Sequence, residues 1–438
     1  LAESKKTKDK LKSRKNSDNV LRHTALRHNF VFWLLRPILK LYLLIRYNYH
    51  AEEYLNKPDQ QPPYFILSSH SGALDPFMLA QSFRHPIYFV ASDHLFRLGW
   101  ISRLISYLVA PVPIVKSQID LQAMRKIISI NQEGGNICLF PSGNRSFVGP
   151  ELPIPEATGK LIRHMRCTVL LYRFEGGYLS TPRWAHYERR GKMSGRVVRV
   201  LSKEEIAQMT PVELNQIILQ ELETNPYRTS TPRSSAQSYQ KFKGRRLAEY
   251  LERVLFACPS CREFSTLRSN NNTLSCSCGF NVQYRPDGHF DVENSKYRYI
   301  VERLPDTAAF DRFQRELLAN LLQNPANRRG YLMKPLFSDD NERLFKTLRA
   351  TKNQFCFQGR LEMYSDRLVI SNECESLEFM LCSIGGMSVH GPQVLQFYAK
   401  ETDSVYELKS DSPRSAYKYV VAFEMLKTYC KELKEEAI

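Results

Sequence analysis

The first 28 residues show almost no apolar periodicity, and the first sustained hydrophobic run is FVFWLLRPILKLYLLI over residues 30–45. Its spacing is helical: Arg36 and Lys40, four apart, share one face, while aromatic and aliphatic residues cover the rest. At about 1.5 Å per residue such a helix reaches only about 24 Å, and each central charge would cost roughly 2.5 kcal/mol or more in lipid. The pattern therefore predicts a helix lying in the plane of a membrane interface, with Trp33 and Tyr42 at headgroup level. A core helix behind a polar tail is the competing reading. From residue 64 to about 200, short apolar runs alternate with helical patterns. Strands are predicted over 64–69, 86–92, 112–116, 136–140, 167–174 and 196–201, and helices over 75–83 and 98–109. This is the signature of an α/β domain with a mixed sheet flanked by helices. The polar run YRTSTPRSSAQSYQ over 227–240 reads as a linker. A helical connector is expected around 308–323. Short strands follow between about 355 and 409, and Ser412-Pro413 opens a last helix with Ala416, Tyr419, Phe423, Leu426 and Cys430 on one face.

These patterns divide the chain into a basic flexible arm (1–28), an amphipathic interface helix (29–56), an α/β domain (57–226) and a linker with a helix (227–255). A cysteine-bearing ribbon (256–292), a helical connector (293–352) and a meander with a closing helix (353–438) complete it. Composition adds to this in two places. The formal net charge of +17 calls for an anionic partner, whether nucleic acid, lipid headgroups or a phosphorylated substrate. The arm 1–28, with nine Lys or Arg against three acidic residues, carries part of that charge. Of ten cysteines, four are clustered and six are scattered, which suits a reducing compartment better than an extracellular disulfide framework. Arg36 and Lys40 interrupt the first apolar run, so it does not read as a secretory signal, and the expected place is the cytoplasmic face of a membrane.

Candidate chemistry begins where the first strand ends, at Ser69-His70-Ser71-Gly72-Ala73-Leu74-Asp75-Pro76. This places an imidazole on a strand-to-helix turn and an aspartate five residues later, positioned to N-cap a helix whose first residue is Pro76. A thioester is already activated, so acyl transfer from it needs a base near pKa 7 rather than a covalent intermediate. His70 is that candidate, with Asp75 on its other ring nitrogen to fix the tautomer. Backbone N–H groups of Ser71 and Gly72 are candidate oxyanion donors. After the strand NICLF comes Pro141-Ser142-Gly143-Asn144-Arg145-Ser146, a turn whose backbone N–H groups and guanidinium would cradle a phosphate. Lys116 is a further cation for the same pocket. The run Arg189-Arg190-Gly191-Lys192, with Arg183, Arg196 and Arg199 near it, reads as a solvated basic turn in preference to a contact with lipid phosphates or a nucleotide.

In order and spacing these residues resemble the 1-acylglycerol-3-phosphate acyltransferase family, over roughly residues 30 to 225. His70 to Asp75 is similar to the family's His-x4-Asp motif, Lys116 falls where the second motif has Arg, and FPSGNRS (140–146) is similar to the third, Phe-Pro-Glu-Gly-x-Arg-Ser. CTVLLYRF occupies the place of the fourth. The resemblance implies an acyl-CoA or acyl-carrier-protein donor, a lysophosphatidate-like acceptor bound by Lys116, Ser142, Gly143, Asn144, Arg145 and Ser146, and catalysis at a membrane surface without a catalytic cofactor. Two departures, Ser142 for Glu and Lys116 for Arg, remove a carboxylate and replace a bidentate clamp with a point charge. A different acceptor, or an adaptor that keeps the fold without turnover, is the alternative they raise.

Cys258-x2-Cys261 and Cys276-x-Cys278, fourteen residues apart, have close to zinc-ribbon spacing. Four thiolates would hold a structural zinc with no position left for substrate, and the other six cysteines are expected in the core. The meander and closing helix are similar in pattern to a pleckstrin-homology-like domain, which by itself assigns no ligand. A zinc-ribbon nucleic-acid-binding protein is the rival class. It leaves His70, Asp75 and FPSGNRS without a role, and the basic residues are not interleaved with an aromatic platform, so nucleic acid is not an expected partner.

Overall fold

A computed structural model of the chain describes residues 26–56, 58, 60–92, 95–96, 99–114, 121–150, 152–227, 242–347 and 354–435, without the side chains of residues 101 and 428–435. Lys116, most of the basic arm, most of the expected linker and the Cys430 side chain lie outside the described residues.

The first domain is built on seven strands: β1 (Tyr49–Ala51), β2 (Tyr64–Ser68), β3 (Ile87–Ser92), β4 (Val112–Ile114), β5 (Asn136–Leu139), β6 (Thr168–Glu175) and β7 (Met193–Leu201). They lie in the order β1-β7-β6-β2-β5-β3-β4, parallel throughout except for β6 against β7. The helices are α1 (26–47), α2 (Asp75–Ala80), α3 (Trp100–Val109), α4 (Leu121–Gln132), α5 (Ala157–Met165), α6 (Gly177–Ser180), α7 (Lys203–Gln208) and α8 (Pro211–Leu222).

Why β2 is a continuous apolar run is visible in its packing. Phe65 and Leu67 enter one core with Ile127, Ile162 and Val169, while Tyr64 and Ile66 enter the opposite core with Leu43 and Leu79. A parallel strand covered on both faces reads as a near-continuous apolar run. From β2 the chain runs outward to β3 and β4, returns to insert β5 beside β2, and then places β6 on the far side of β2. Such a reversal of strand order opens a crevice beyond the carboxyl ends of the strands. His70 leaves the end of β2 there, and Pro141–Ser146 leave the end of neighbouring β5.

Helix α1 buries His28, Val31, Leu43 and Tyr47 against this domain, and Arg36 donates to the Gln81 carbonyl at 3.0 Å. Its outer face, with Phe30, Trp33, Ile38, Leu41 and Ile45, is exposed. Helix α3 adds Trp100, 72 % exposed, and Tyr107, whose ring lies 4.0 Å beneath the Arg27 guanidinium. No helix among the described residues is long and apolar enough to cross a membrane.

The second half begins with a four-stranded antiparallel ribbon of β8 (Leu267–Asn270), β9 (Thr273–Cys276), β10 (Asn281–Tyr284) and β11 (Phe290–Asp291). Helices α9 (Arg298–Arg303), α10 (Thr307–Gln323) and α11 (Pro325–Met333) connect it to a second seven-stranded sheet. That sheet comprises β12 (Phe337–Thr347), β13 (Gln354–Met363), β14 (Arg367–Ser371), β15 (Ser376–Met380), β16 (Ile384–His390), β17 (Val394–Ala399) and β18 (Ser404–Lys409), in the order β15-β14-β13-β12-β18-β17-β16. It is antiparallel throughout. Helix α12 (Ala416–Glu435) packs on it through Ala416, Tyr419, Phe423 and Leu426.

Strand β12 falls inside the stretch expected to be a helical connector. Its core-facing positions include Glu342, fully buried against Arg414, and Asp339, bonded to Lys418, so the period-2 signal is carried partly by charge. Gly385 and Gly386 dilute the apolar pattern of strand β16, which falls within the stretch where short strands are expected. One hydrophobic core runs through the ribbon and the C-terminal sheet and takes in Phe147 and Trp184 from the first domain.

Candidate functional site

Asp75 is fully buried, and its Oδ2 accepts three hydrogen bonds: from His70 Nδ1 at 2.9 Å, from Ser71 N at 2.7 Å and from Gly72 N at 2.9 Å. The N-cap of α2 is Leu74 rather than Asp75, which lies in the first turn with its carboxylate folded back over the preceding loop. That fold-back engages both N–H groups expected to serve an oxyanion, so Ser71 and Gly72 hold the carboxylate instead. Glycine is required at position 72, where a Cβ would come within 2.9 Å of Asp75 Oδ1 and 3.1 Å of Thr181 Oγ1. The imidazole stacks on Phe140, centroids 4.4 Å apart and planes 27° apart, and its side chain is 20 % exposed. With Nδ1 held by a carboxylate, the neutral ring carries its proton there and presents Nε2 as the basic nitrogen. Asp75 Oδ1 is buried without a hydrogen-bond partner among the described residues.

A cavity of about 220 Å³ borders that loop, lined by Gly72, Ala73 and Leu74, by Arg145 and by the segment Thr181–Glu188. Of the six residues expected to bind substrate, Arg145 is the one on its wall. Burial pulls the Arg145 guanidinium below its ordinary pKa, with the Asp75 charge acting in the opposite sense. The other members of its turn serve the turn itself. The Ser146 hydroxyl accepts from Val148 N at 3.2 Å and Gly149 N at 3.0 Å, the Ser142 hydroxyl donates to the Asn144 carbonyl at 3.3 Å, and Gly143 takes the left-handed conformation at φ +68°. Lys116, the sixth, lies outside the described residues.

The cavity also holds an arginine that the sequence groups with the solvated basic turn. Arg183, 7 % exposed, lies over the Phe147 ring at 4.0 Å, and among the described residues no carboxylate pairs with it. The basic turn at 189–192, expected to be solvated, is in part the opposite. Arg189 is 2 % exposed, lies over Trp184 and Tyr284 at 5.1 and 5.2 Å, and donates to the Leu247 carbonyl at 2.5 Å. The aromatic residues Trp184, Tyr178 and Tyr227 nearby were the available signal that this stretch is packed.

Residues 46–171 match the family model described as Acyltransferase, and this stretch contains the His70–Asp75 pair and the Arg145 turn. The stretch is an acyltransferase domain. The chain is similar in structure to the 1-acyl-sn-glycerophosphate (LPA) acyltransferase PlsC of Thermotoga maritima, at 16 % identity over 44 % of this chain and 77 % of that one, with a TM-score of 0.37. It also has a likeness to Inner Membrane Complex Sub-compartment Protein 3 of Toxoplasma gondii, at 8 % identity over 25 % of this chain and 88 % of that one, with a TM-score of 0.18. No curated protein matches the chain.

Behind the acyltransferase domain, the ribbon brings Cys258, Cys261, Cys276 and Cys278 together with all four sulfur atoms within 4.8 Å of one another. Cys258 and Cys278 Sγ are 3.7 Å apart, and Cys261 and Cys276 Sγ 3.8 Å. A tetrahedron with metal–sulfur bonds of about 2.3 Å has sulfur–sulfur edges of about 3.8 Å, so the four side chains fit a metal ion. Of the remaining cysteines, Cys138 is buried as expected, whereas Cys374 is exposed at the β14–β15 turn. A hairpin needs a polar tip, and that outweighs the apolar character of the thiol.

Proposed function

We propose that this protein transfers a fatty acyl group from acyl-CoA or acyl-carrier protein to the hydroxyl of a lysophosphatidate-like glycerolipid at a membrane surface. The observation that carries the reading is the buried Asp75 carboxylate holding His70 Nδ1 at 2.9 Å, beside a cavity with Arg145 on its wall. In this reaction the acceptor hydroxyl oxygen attacks the thioester carbonyl carbon while His70 Nε2 takes the hydroxyl proton. The tetrahedral intermediate then collapses, the carbon–sulfur bond breaks, and the departing thiolate takes that proton from the imidazolium. Asp75 steadies the imidazolium between the two transfers and is not itself protonated. Arg145 binds the acceptor phosphate.

The exposed apolar face of α1, continued by Trp100 and Tyr107 of α3, docks the acyltransferase on the interface where its lipid acceptor resides. The net charge of +17 favours an anionic leaflet, placing the protein as a peripheral or monotopic enzyme on the cytoplasmic face. The four ribbon cysteines hold a structural zinc that closes its coordination with sulfur and leaves no position for substrate. Elemental analysis of purified protein should return one zinc per chain, and a Cys258→Ser, Cys261→Ser double variant should lose it; a metal-free, fully folded wild type would remove zinc from this account.

The reading as a whole is tested with purified full-length protein, radiolabelled acyl-CoA or acyl-carrier protein, and lysophosphatidate presented in anionic vesicles. Formation of the diacyl product is expected. Vesicle binding without any acyl transfer would instead make the protein an adaptor that retains the fold.

A further inference from the structure

The acyltransferase domain does not close the cavity beside the His70 loop by itself. Its outer wall is the segment Thr181–Glu188, part of the first domain but past the family-matched stretch ending at 171, together with Pro392 from the turn between β16 and β17 of the C-terminal sheet. One side chain joins these parts. Arg183 Nε donates to the Gly391 carbonyl at 2.9 Å, its Nη1 to the Arg145 carbonyl at 3.1 Å, and its Nη2 to the Val389 carbonyl. Gly391 takes φ +57°, the left-handed conformation that turns the chain and brings Pro392 onto the cavity. Trp184, the next residue, is fully buried in the core shared with the ribbon, and Arg189 is laid across it. The wall is therefore braced from behind by the second half of the molecule.

Three properties of this wall bear on what it admits. Its two arginines, Arg145 and Arg183, have no carboxylate partner among the described residues. The acid at its rim, Glu188, is engaged by the Tyr47 hydroxyl at 2.5 Å and by Arg46 at 2.6 Å. Finally, at about 220 Å³ the cavity lies below the roughly 300 to 1,000 Å³ of sites that swallow a whole drug-sized ligand, so it suits a headgroup and not a lipid.

We propose that the C-terminal domain completes the acceptor site, with Pro392 as a specificity-determining wall and Arg183 as the positioning residue that holds it. Together they admit a small phosphate-monoester headgroup and exclude a phosphodiester that carries a further polar alcohol. This rests on the acyltransferase reading above. The monoester is favoured twice, by its extra negative charge between two arginines and by its size. Arg183 acts through its hold on the Val389–Gly391 turn and through its charge, and contacts with the reacting atoms are left to His70.

The test uses the full chain on vesicles with acyl-CoA and two acceptors, lysophosphatidate and lysophosphatidylcholine. Pro392→Trp, which fills the cavity, should raise the lysophosphatidate KM roughly ten-fold or more. Pro392→Ala, which opens it, should raise kcat/KM for lysophosphatidylcholine relative to lysophosphatidate by roughly ten-fold. The second variant carries the test if the first does not fold, and a change in headgroup ratio is a result that general loosening of the fold does not give. If wild-type protein acylates lysophosphatidate and the headgroup ratio of Pro392→Ala is unchanged, the inference is overturned while the acyltransferase reading stands. If wild-type protein acylates neither acceptor, both fall.

Discussion

Buried cations in the two halves of this molecule keep different company. In the C-terminal domain Arg414 forks onto Glu342 at 2.5 and 2.6 Å, and Lys418 meets Asp339 at 2.8 Å, around a polar cavity of about 50 Å³. Beside the His70 loop, Arg183 is also buried and Arg145 half-buried, and among the described residues neither forms an ion pair with a carboxylate. Burial pushes the Arg183 guanidinium down to about 9, and the neighbouring Arg145 charge adds to the effect. Desolvating a charge is expensive, and within a protein its compensation is an opposite charge or a full set of hydrogen bonds. The C-terminal pairs have theirs and are structural. Arg183 settles for backbone carbonyls and Arg145 for less, so positive potential accumulates on the wall of the cavity beside the His70 loop. A site built this way stores an attraction for an anion that the folded protein does not itself satisfy.

That contrast can be broken by exchanging the consequences of losing a charge in the two places. Glu342→Gln strands Arg414 in a dry interior and should lower stability by roughly 3–5 kcal/mol, read as a drop in the denaturant midpoint. Arg145→Met removes a charge with no counter-ion, so stability should hold within about 1 kcal/mol while the acceptor KM rises about 10- to 100-fold, the loss of one charge-assisted hydrogen bond. A stable Glu342→Gln protein, or an Arg145→Met protein that unfolds with unaltered acceptor binding, would erase the distinction between the two regions.

The same contrast governs what could be read from the sequence. The alternation of apolar runs, β2 and β5 among them, with helical patterns announced a mixed sheet flanked by helices, and the spacing from His70 to Asp75 announced a paired imidazole. Sulfur spacing announced the cysteine cluster, because a metal site needs only local knuckles and one hairpin. The cap of α2 was misplaced by one residue, since nothing in the spacing says whether an aspartate reaches forward to its helix or backward over its loop. Strand β12 was hidden because Asp339 and Glu342 point inward to partners on and just before α12, about eighty residues away in the chain, so charges stood where apolar residues mark a core face. Arg183 was hidden more deeply. Its burial comes from the Gly391 turn, 208 residues further on, and no local pattern distinguishes it from a surface arginine.

The central claim, that His70 is the base of an acyl transfer, is tested most directly by the single-turnover rate of acyl transfer to lysophosphatidate by the His70→Ala variant, with folding verified by an unchanged melting temperature. We expect the rate to fall by roughly 100- to 10,000-fold against wild type. A rate within about three-fold of wild type would contradict the role of the imidazole and the account built on it.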